Sequence, residues 1–260
     1  MYGAIIGDII GSRFEFNNHR NTEFGLFDPQ CSVTDDTVCT VAVADWLMRK
    51  DKTSLAPVMQ AWCKAYPGES YGLRFRKWID HPIPYHSFGN GAAMRVSPVG
   101  LLLDDENAVM HYAMESAIVS HNHPEGIKGA QSVALAVYLA RKGATKQAIM
   151  DKITTAFGYN LNQDIDKFRK YNQFDETCQV TVPQAMVCFL QSNGYEHAIR
   201  LAVSIGGDSD TIAAITGSIA GVFYGIPEEL IEQSRKFIPA DIQQIIDKFH
   251  LETERSKLIS

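Results

Sequence analysis

Two short acidic stretches hold most of the chemical potential of this sequence. In "TDDT", Thr34, Asp35 and Asp36 stand directly before an apolar run; in "GGDSDT", Asp208, Asp210 and Thr211 stand directly before "IAAITGSIAGVFYG". A single Asp or Ser in that place caps a helix, accepting from orphan N–H groups and suiting the helix dipole. One cap needs one carboxylate, and each stretch has two. Residues one or two apart do not share a helix face, so ligands at this spacing must sit on the first turn or the loop before it. If the two helix starts meet, four carboxylates and two hydroxyls converge, and their mutual repulsion demands cations. All the donors are hard oxygens, which suit Mg²⁺ or Mn²⁺ rather than zinc or copper. Four carboxylates balance two divalent ions, as in a two-metal hydrolytic centre.

Further polar residues invite a role beside these. Asp8 and Glu15 in "GDIIGSRFE" are nearly two turns apart if a helix persists there, but Gly7 and Gly11 argue against its persistence, and residue type alone makes Glu15 a solvated surface acid. In "HSFGNGAAMR", Gly89 and Gly91 flank Asn90; the N–H groups of such a segment form an anion nest or an ordinary turn, and composition leaves both open. His121 and His123 in "SHNHPEG" have no third soft ligand at a sensible spacing, and His123 before Pro124 reads as a helix entry. "YPGESYGLRFRKW" reads as a solvated basic turn, with a tyrosine at a cleft edge as the alternative. Two other acidic chemistries fail on spacing: Asp35-Asp36 lacks the last acid of D-D-x-x-D, and Thr211 abuts Asp210 where D-x-D-x-T needs a spacer.

The elements that must position these residues have helical periodicity. "TVCTVAVADWLMRK", "DDENAVMHYAMESAIVSHNH", "GIKGAQSVALAVYLARKG", "YEHAIRLAVSIGG" and "PADIQQIIDKFHLETERSKLI" repeat apolar residues at three- and four-residue intervals, and the third ends with Arg141, Lys142 and then Gly143, a cationic last turn followed by a C-cap glycine. "TVPQAMVCFLQSNG" does the same, with Pro183 near the expected helix start. After Thr211, the small residues Ala213, Ala214, Gly217, Ala220 and Gly221 predict close backbone packing. His81 to Gly100 is rich in Pro and Gly and reads as a long surface loop leading into a short helix. No hairpin or β-α-β alternation is legible, so the expected class is all-α.

Composition narrows the field. The chain has 260 residues with 45% hydrophobic and 21% charged side chains, enough for one large core and one domain over 1–260. A net charge of −6 without a long basic run disfavours nucleic acid as a partner. Five cysteines without a C-x-x-C pair argue for reduced thiols and a cytoplasmic setting. No apolar run approaches the about 20 residues of a membrane span, so a soluble protein, expected to be a monomer, acts on a small or protein-attached substrate.

"TDDT" and "GGDSDTIAAITGSIAGVFYG", with "GAIIGDIIGSRFEF", "FGNGAAMRVSPVG", "SHNHPEGIKGA" and "TVPQAMVCFL" in order between or before them, resemble the ADP-ribosylglycohydrolase family, relatives of the dinitrogenase reductase-activating glycohydrolase. The resemblance covers most of the chain. It implies an orthogonal all-α bundle, a pair of Mg²⁺ or Mn²⁺ ions at the bottom of a cleft, and hydrolysis of the bond joining ADP-ribose to a protein side chain or small conjugate. It makes Thr34, Asp35, Asp36, Asp208, Asp210 and Thr211 the metal ligands and Glu15 the acid/base or water-positioning group. It assigns Ser87, Phe88, Gly89, Asn90 and Gly91 to the diphosphate, and places His121 on the wall of the cleft. Two other readings compete: a scaffold that binds ADP-ribose or serves structurally without turnover, and a different all-α Mg²⁺ enzyme acting on a diphosphate. The presence of all six ligand candidates and Glu15 counts against the first.

Overall fold

The computed structural model describes residues 1–49 and 53–259. Along the chain these form α1 (Tyr2–Ser12), α2 (Asp35–Met48), α3 (Leu55–Ala65), α4 (Leu73–Asp80), α5 (Gly91–Met94), α6 (Ser97–Leu102), α7 (Glu106–Ile118), α8 (Pro124–Arg141), α9 (Lys146–Phe157), α10 (Ile165–Tyr171), α11 (Cys178–Gln191), α12 (Tyr195–Ser204), α13 (Ser209–Tyr224), α14 (Glu228–Ser234) and α15 (Ala240–Ile259), with a 3₁₀ turn at Arg235–Phe237. No strand occurs among the described residues; one isolated antiparallel bridge joins Gly89 and Thr177. The chain is all-α, as its periodicity requires. Lys50, at the end of the helix expected in "TVCTVAVADWLMRK", lies outside the described residues.

The central pair is α1 against α13, and its closeness comes from glycine. A Cβ added to Gly3 would lie 2.3 Å from Gly217 O, one on Gly7 2.2 Å from Ala213 O, and one on Gly11 2.5 Å from the Cα of Asp210. No side chain fits at those distances, so backbone packs on backbone. The expectation that Gly7 and Gly11 interrupt α1 is therefore corrected. Interior glycine costs about 1 kcal/mol relative to alanine, but Ile5, Ile6, Ile9 and Ile10 of the same helix are fully buried, each contributing roughly 1.5–3 kcal/mol. Burial outweighs propensity. The small-residue stripe read on α13 is the other half of this contact.

Three further expectations change. Pro183 lies inside α11, five residues after its first residue Cys178; the helix loses one backbone hydrogen bond there and keeps its course because Val182, Pro183 and Val187 are buried. "LRFRKWID" is helix α4, with Phe75 and Trp78 buried, and Tyr71 before it is buried as well. A basic turn was the wrong reading because its arginines are conspicuous in the sequence while its aromatics do the packing. The stretch His81 to Gly100 contains one short helix, α5, and the start of a second, α6. The expected end of α8 is present: Gly143 has φ +78°, its N–H bonds Ala140 O at 3.1 Å, and Ala144 N–H bonds Leu139 O at 3.0 Å, which is a Schellman closure.

All five cysteines are unpaired and buried. No helix among the described residues is long and apolar enough to cross a membrane.

Candidate functional site

The start of α2 and the start of α13 meet at the floor of one cleft. Thr211 Oγ1 donates to Asp36 Oδ2 at 3.0 Å, across 175 positions of sequence. Asp35, Asp36, Asp208, Asp210 and Thr211 all line this cleft of about 360 Å³, and Glu15 joins them. Carboxylate oxygens of Glu15, Asp208 and Asp210 lie within 4.8 Å of one another, close enough to share one ion. Glu15 is 8% exposed, so the surface-acid reading is corrected: the turn after α1 folds it inward beside the aspartates.

Local structure explains why these acids face inward. Thr34 is the N-cap of α2, its side chain accepting from Asp36 N–H. Its hydroxyl also donates to Asp8 Oδ1 at 2.8 Å, leaving one lone pair uncommitted. Thr34 thus caps and braces, and it does not line the cleft. Asp8 is the residue that sequence reasoning undervalued. It also accepts from Thr34 N–H at 3.0 Å and Thr37 N–H at 3.1 Å, and it makes a short bond with the Thr37 hydroxyl. A fully buried carboxylate on α1 therefore fixes the entry of α2. The signal was present as an acid inside an otherwise apolar run, since such a group must find donors.

Electrostatics make the cluster costly as bare protein. Burial and the charges of Asp208 and Asp35 push Glu15 up to about 8. Burial, Asp8 and Asp208 push Asp35 up to about 7. Asp36 is held well above the usual carboxylate range by burial, Asp8 and Asp35, and Asp210 by burial, Asp208 and Asp36. Asp208 is raised by burial, against which hydrogen bonds from its neighbours work. Asp8 is raised by burial to about 6, its threonine partners opposing the shift. Among the described residues, no lysine or arginine forms an ion pair with any of these six acids. Asp36 Oδ1 is buried and has no hydrogen-bond partner. Such an oxygen costs about 1–3 kcal/mol unless something else satisfies it. A divalent cation fits this donor set on charge, on hardness and on the orphaned oxygen.

The other expected residues divide. Ser87, Gly89, Asn90, Gly91 and His121 line the cleft, whereas Phe88 points outward, 43% exposed, with its ring 5.2 Å from that of His123. Of the nest and the turn that composition left open for this segment, the turn's bonds are the ones present. Gly89 N–H bonds Ser87 Oγ at 3.1 Å, Asn90 N–H bonds Glu176 O at 2.6 Å, and neither glycine adopts positive φ. The glycines serve close approach instead, since a Cβ on Gly91 would meet His121 Nε2 at 3.0 Å. Asn90 contributes through its side chain, which donates to Asp208 Oδ2 at 2.6 Å and to Thr181 Oγ1 at 3.1 Å. His121 is held well below its ordinary value by burial and by Arg95 and Arg74; neutral, it bonds Ser120 Oγ through Nδ1 at 2.8 Å. His123 caps α8, its ring accepting from Glu125 N–H, as the sequence suggested.

Arg74, Arg95 and Glu176 line the cleft without having been singled out as site residues. Arg95 is fully buried, donating to Ser116 O at 2.7 Å and Ser120 Oγ at 3.0 Å. The cleft lining thus combines two arginines and a neutral histidine with the carboxylates. The exposed rings of Phe16 and Phe174 stack with centroids 5.9 Å apart.

The family model for ADP-ribosylglycohydrolase matches residues 1–258. ADP-ribosylhydrolase ARH3 of Homo sapiens is 24% identical, over 93% of this chain and 90% of its own length. The Gallus gallus ARH3 is 26% identical, over 86% and 84%. ADP-ribosylarginine hydrolase Tri1 of Pseudomonas putida is 24% identical, over 90% of this chain and 72% of its own. Among solved structures, one described as an "ADP-ribosylglycohydrolase-related protein complex" superposes with a TM-score of 0.74 at 20% identity, covering 98% of this chain and 95% of that one; at that identity it speaks to the fold. A family match over nearly the whole length, on a helical scaffold that gathers both acidic stretches into one cleft, places this chain in the ADP-ribosylglycohydrolase family.

Proposed function

We propose that the protein hydrolyses the glycosidic bond between ADP-ribose and an acceptor, with two divalent cations, Mg²⁺ or Mn²⁺, held by Asp35, Asp36, Asp208, Asp210 and Thr211 together with Thr34. The observation that carries this reading is the Thr211 to Asp36 contact, which brings two carboxylate pairs remote in sequence to one cleft floor. The whole chain is read as one catalytic unit. Bound cations would supply charge compensation for the acids and polarisation of ribose hydroxyls and water.

The chain's own residues then have distinct tasks. The cleft orients the substrate: Arg74 and Arg95 suit the diphosphate beside the Ser87–Gly91 loop, whose Gly89 and Asn90 N–H groups are already engaged, which leaves the distal ribose over the carboxylate floor. Water adds at the anomeric carbon and the bond to the acceptor breaks, the acceptor departing with a proton. Glu15, whose carboxylate lies within 4.8 Å of those of Asp208 and Asp210, is the group of this chain that would manage that proton. Asn90 orients Asp208, and Asp8 orients the entry to α2; both act through other residues.

A hydrolysis panel of ADP-ribosylated arginine, ADP-ribosylated serine and small conjugates, with EDTA, Mg²⁺ or Mn²⁺, tests the reading. At least one conjugate is expected to be cleaved only with a divalent ion, and Asp208→Asn is expected to remove both turnover and ion binding. Tight ADP-ribose binding without turnover of any conjugate would favour a binding protein on the same scaffold. Full activity in EDTA would remove the metal from the account.

A further inference from the structure

Glu15 belongs to no helix. α1 ends at Ser12, and α13 begins at Ser209, so the close glycine packing of those two helices stops short of both Glu15 and the loop carrying Asp208. Something else must fix the separation between them, and one side chain spans it. Asn18 Nδ2 donates to Phe14 O at 2.9 Å and to Glu15 O at 3.0 Å on its own side, and to Gly207 O at 2.9 Å on the other. Gly207 N–H returns a bond to Asn18 Oδ1 at 2.8 Å. A primary amide has two N–H hydrogens and an acceptor oxygen, and here all of them are engaged. Gly207 precedes Asp208 directly.

The grip is specific because of what surrounds it. Gly207 has φ +84° and Gly206 φ +64°, a left-handed path that turns both backbones toward the partner segment. Arg20, two residues after Asn18, donates to Ile205 O at 2.6 Å and Asn172 O at 2.8 Å. Asn172 donates to Gly206 O at 2.9 Å. Neither glycine tolerates a side chain: a Cβ on Gly206 would lie 2.6 Å from the Arg20 guanidinium carbon, and one on Gly207 2.7 Å from Asn172 Nδ2. Carbonyls 205, 206 and 207 are thus each held by a side-chain amide or guanidinium. Within that network, Asn18 alone bonds both the Glu15 backbone and the residue before Asp208.

We infer that Asn18 is a positioning residue: its carboxamide clasps the Glu15 segment to the Gly206–Gly207 loop and so sets where the Glu15 carboxylate stands relative to Asp208 and Asp210. Asn18 is not on the cleft lining, so it acts through Glu15 and the aspartates without meeting substrate. This role rests on the proposed hydrolysis, in which Glu15 manages the proton. Its effect should therefore fall on the chemical step, because a displacement of about 1 Å in a reacting group costs roughly a hundredfold in rate, while the diphosphate end of the cleft is untouched.

The test is a double-mutant cycle of Asn18→Ala with Glu15→Gln, read as kcat, KM, ADP-ribose affinity and amide hydrogen exchange at Gly207. Asn18→Ala is expected to lower kcat by roughly a hundredfold with ADP-ribose affinity within about threefold of wild type. The double variant is expected to be no slower than Glu15→Gln alone, because a group acting through Glu15 has nothing left to position. Gly207 N–H is expected to exchange about tenfold faster or more. Unchanged kcat, losses that multiply in the double variant, or affinity falling in step with kcat would each overturn the inference. Should Asn18→Ala fail to fold, Asn18→Leu carries the same cycle and the same exchange readout: it keeps nearly the size of the side chain and loses both the donors and the acceptor for Gly207 N–H. A wild-type protein that cleaves no conjugate would defeat the proposed hydrolysis instead, and Gly207 exchange would still decide the clasp, unchanged exchange refuting it.

Discussion

Asp36 states the problem of the site at the scale of one residue: a buried carboxylate with one oxygen bonded to Thr211 and the other to nothing. Its neighbours share the difficulty, and the result is an unusual pH dependence of the cation-free protein. A carboxyl whose folded pKa is raised keeps its proton in the native state after the unfolded chain has lost it. Its contribution to stability is whole below the unfolded value, about 4, and declines as pH rises toward the folded value. With Glu15 up to about 8 and Asp35 up to about 7, that decline spans about pH 4 to about pH 8. This is the reverse of a salt-bridged carboxylate. Divalent ions bound among these acids would remove the penalty, so the gain in melting temperature on adding Mg²⁺ or Mn²⁺ is expected to be larger at about pH 8 than at about pH 5. Calorimetry with EDTA and with each ion measures it; an equal or smaller gain at the higher pH contradicts a cation bound by these acids.

At the scale of elements, α1 and α13 show how local propensity can mislead. Gly3, Gly7 and Gly11 weaken a helix in isolation, and the sequence offers no sign of what they face. The partner backbone appears only once α13 is in place, with its own Gly217 and Gly221 against Gly3. Gly11→Ala is the sharp test, because its Cβ would strike the Asp210 backbone at the start of α13. It is expected to destabilise by about 1–3 kcal/mol, the usual range for overpacking, and to weaken divalent-ion affinity as well, since Asp210 must move. Gly68→Ala, at a position with open space around it, should leave both unchanged. Chemical denaturation and ion titration separate the two effects. A Gly11→Ala protein with wild-type ion affinity would show that the helix contact does not set the geometry of the acids.

At the scale of the whole molecule, what was legible in the sequence follows from the range of the interaction that determines it. Helical class, the ends of α8 and the cap at His123 depend on neighbours a few residues away, and all three were readable. The excess carboxylate before α2 and α13 was readable too, because one cap cannot use two acids. Asn18 and Glu176 were not, and of Asp8 only its need for donors was, since each takes its meaning from a partner far along the chain: Thr34 and Thr37 for Asp8, Gly207 for Asn18, the cleft for Glu176. For the Ser87–Gly91 loop the sequence left a nest and a turn both open, because Gly-Asn-Gly does not say whether its N–H groups face a ligand or its own fold. Here those of Gly89 and Asn90 face the fold.

The central claim is that the acids near the start of α2 and those near the start of α13 share divalent cations, and diffraction from crystals grown with Mn²⁺ tests it most directly. The account predicts anomalous peaks between Asp36 and the Asp208–Asp210 pair, with Thr211 in the coordination shell. Crystals that bind Mn²⁺ elsewhere while these carboxylates stay bare, or that show no ordered ion at saturating Mn²⁺, would contradict it.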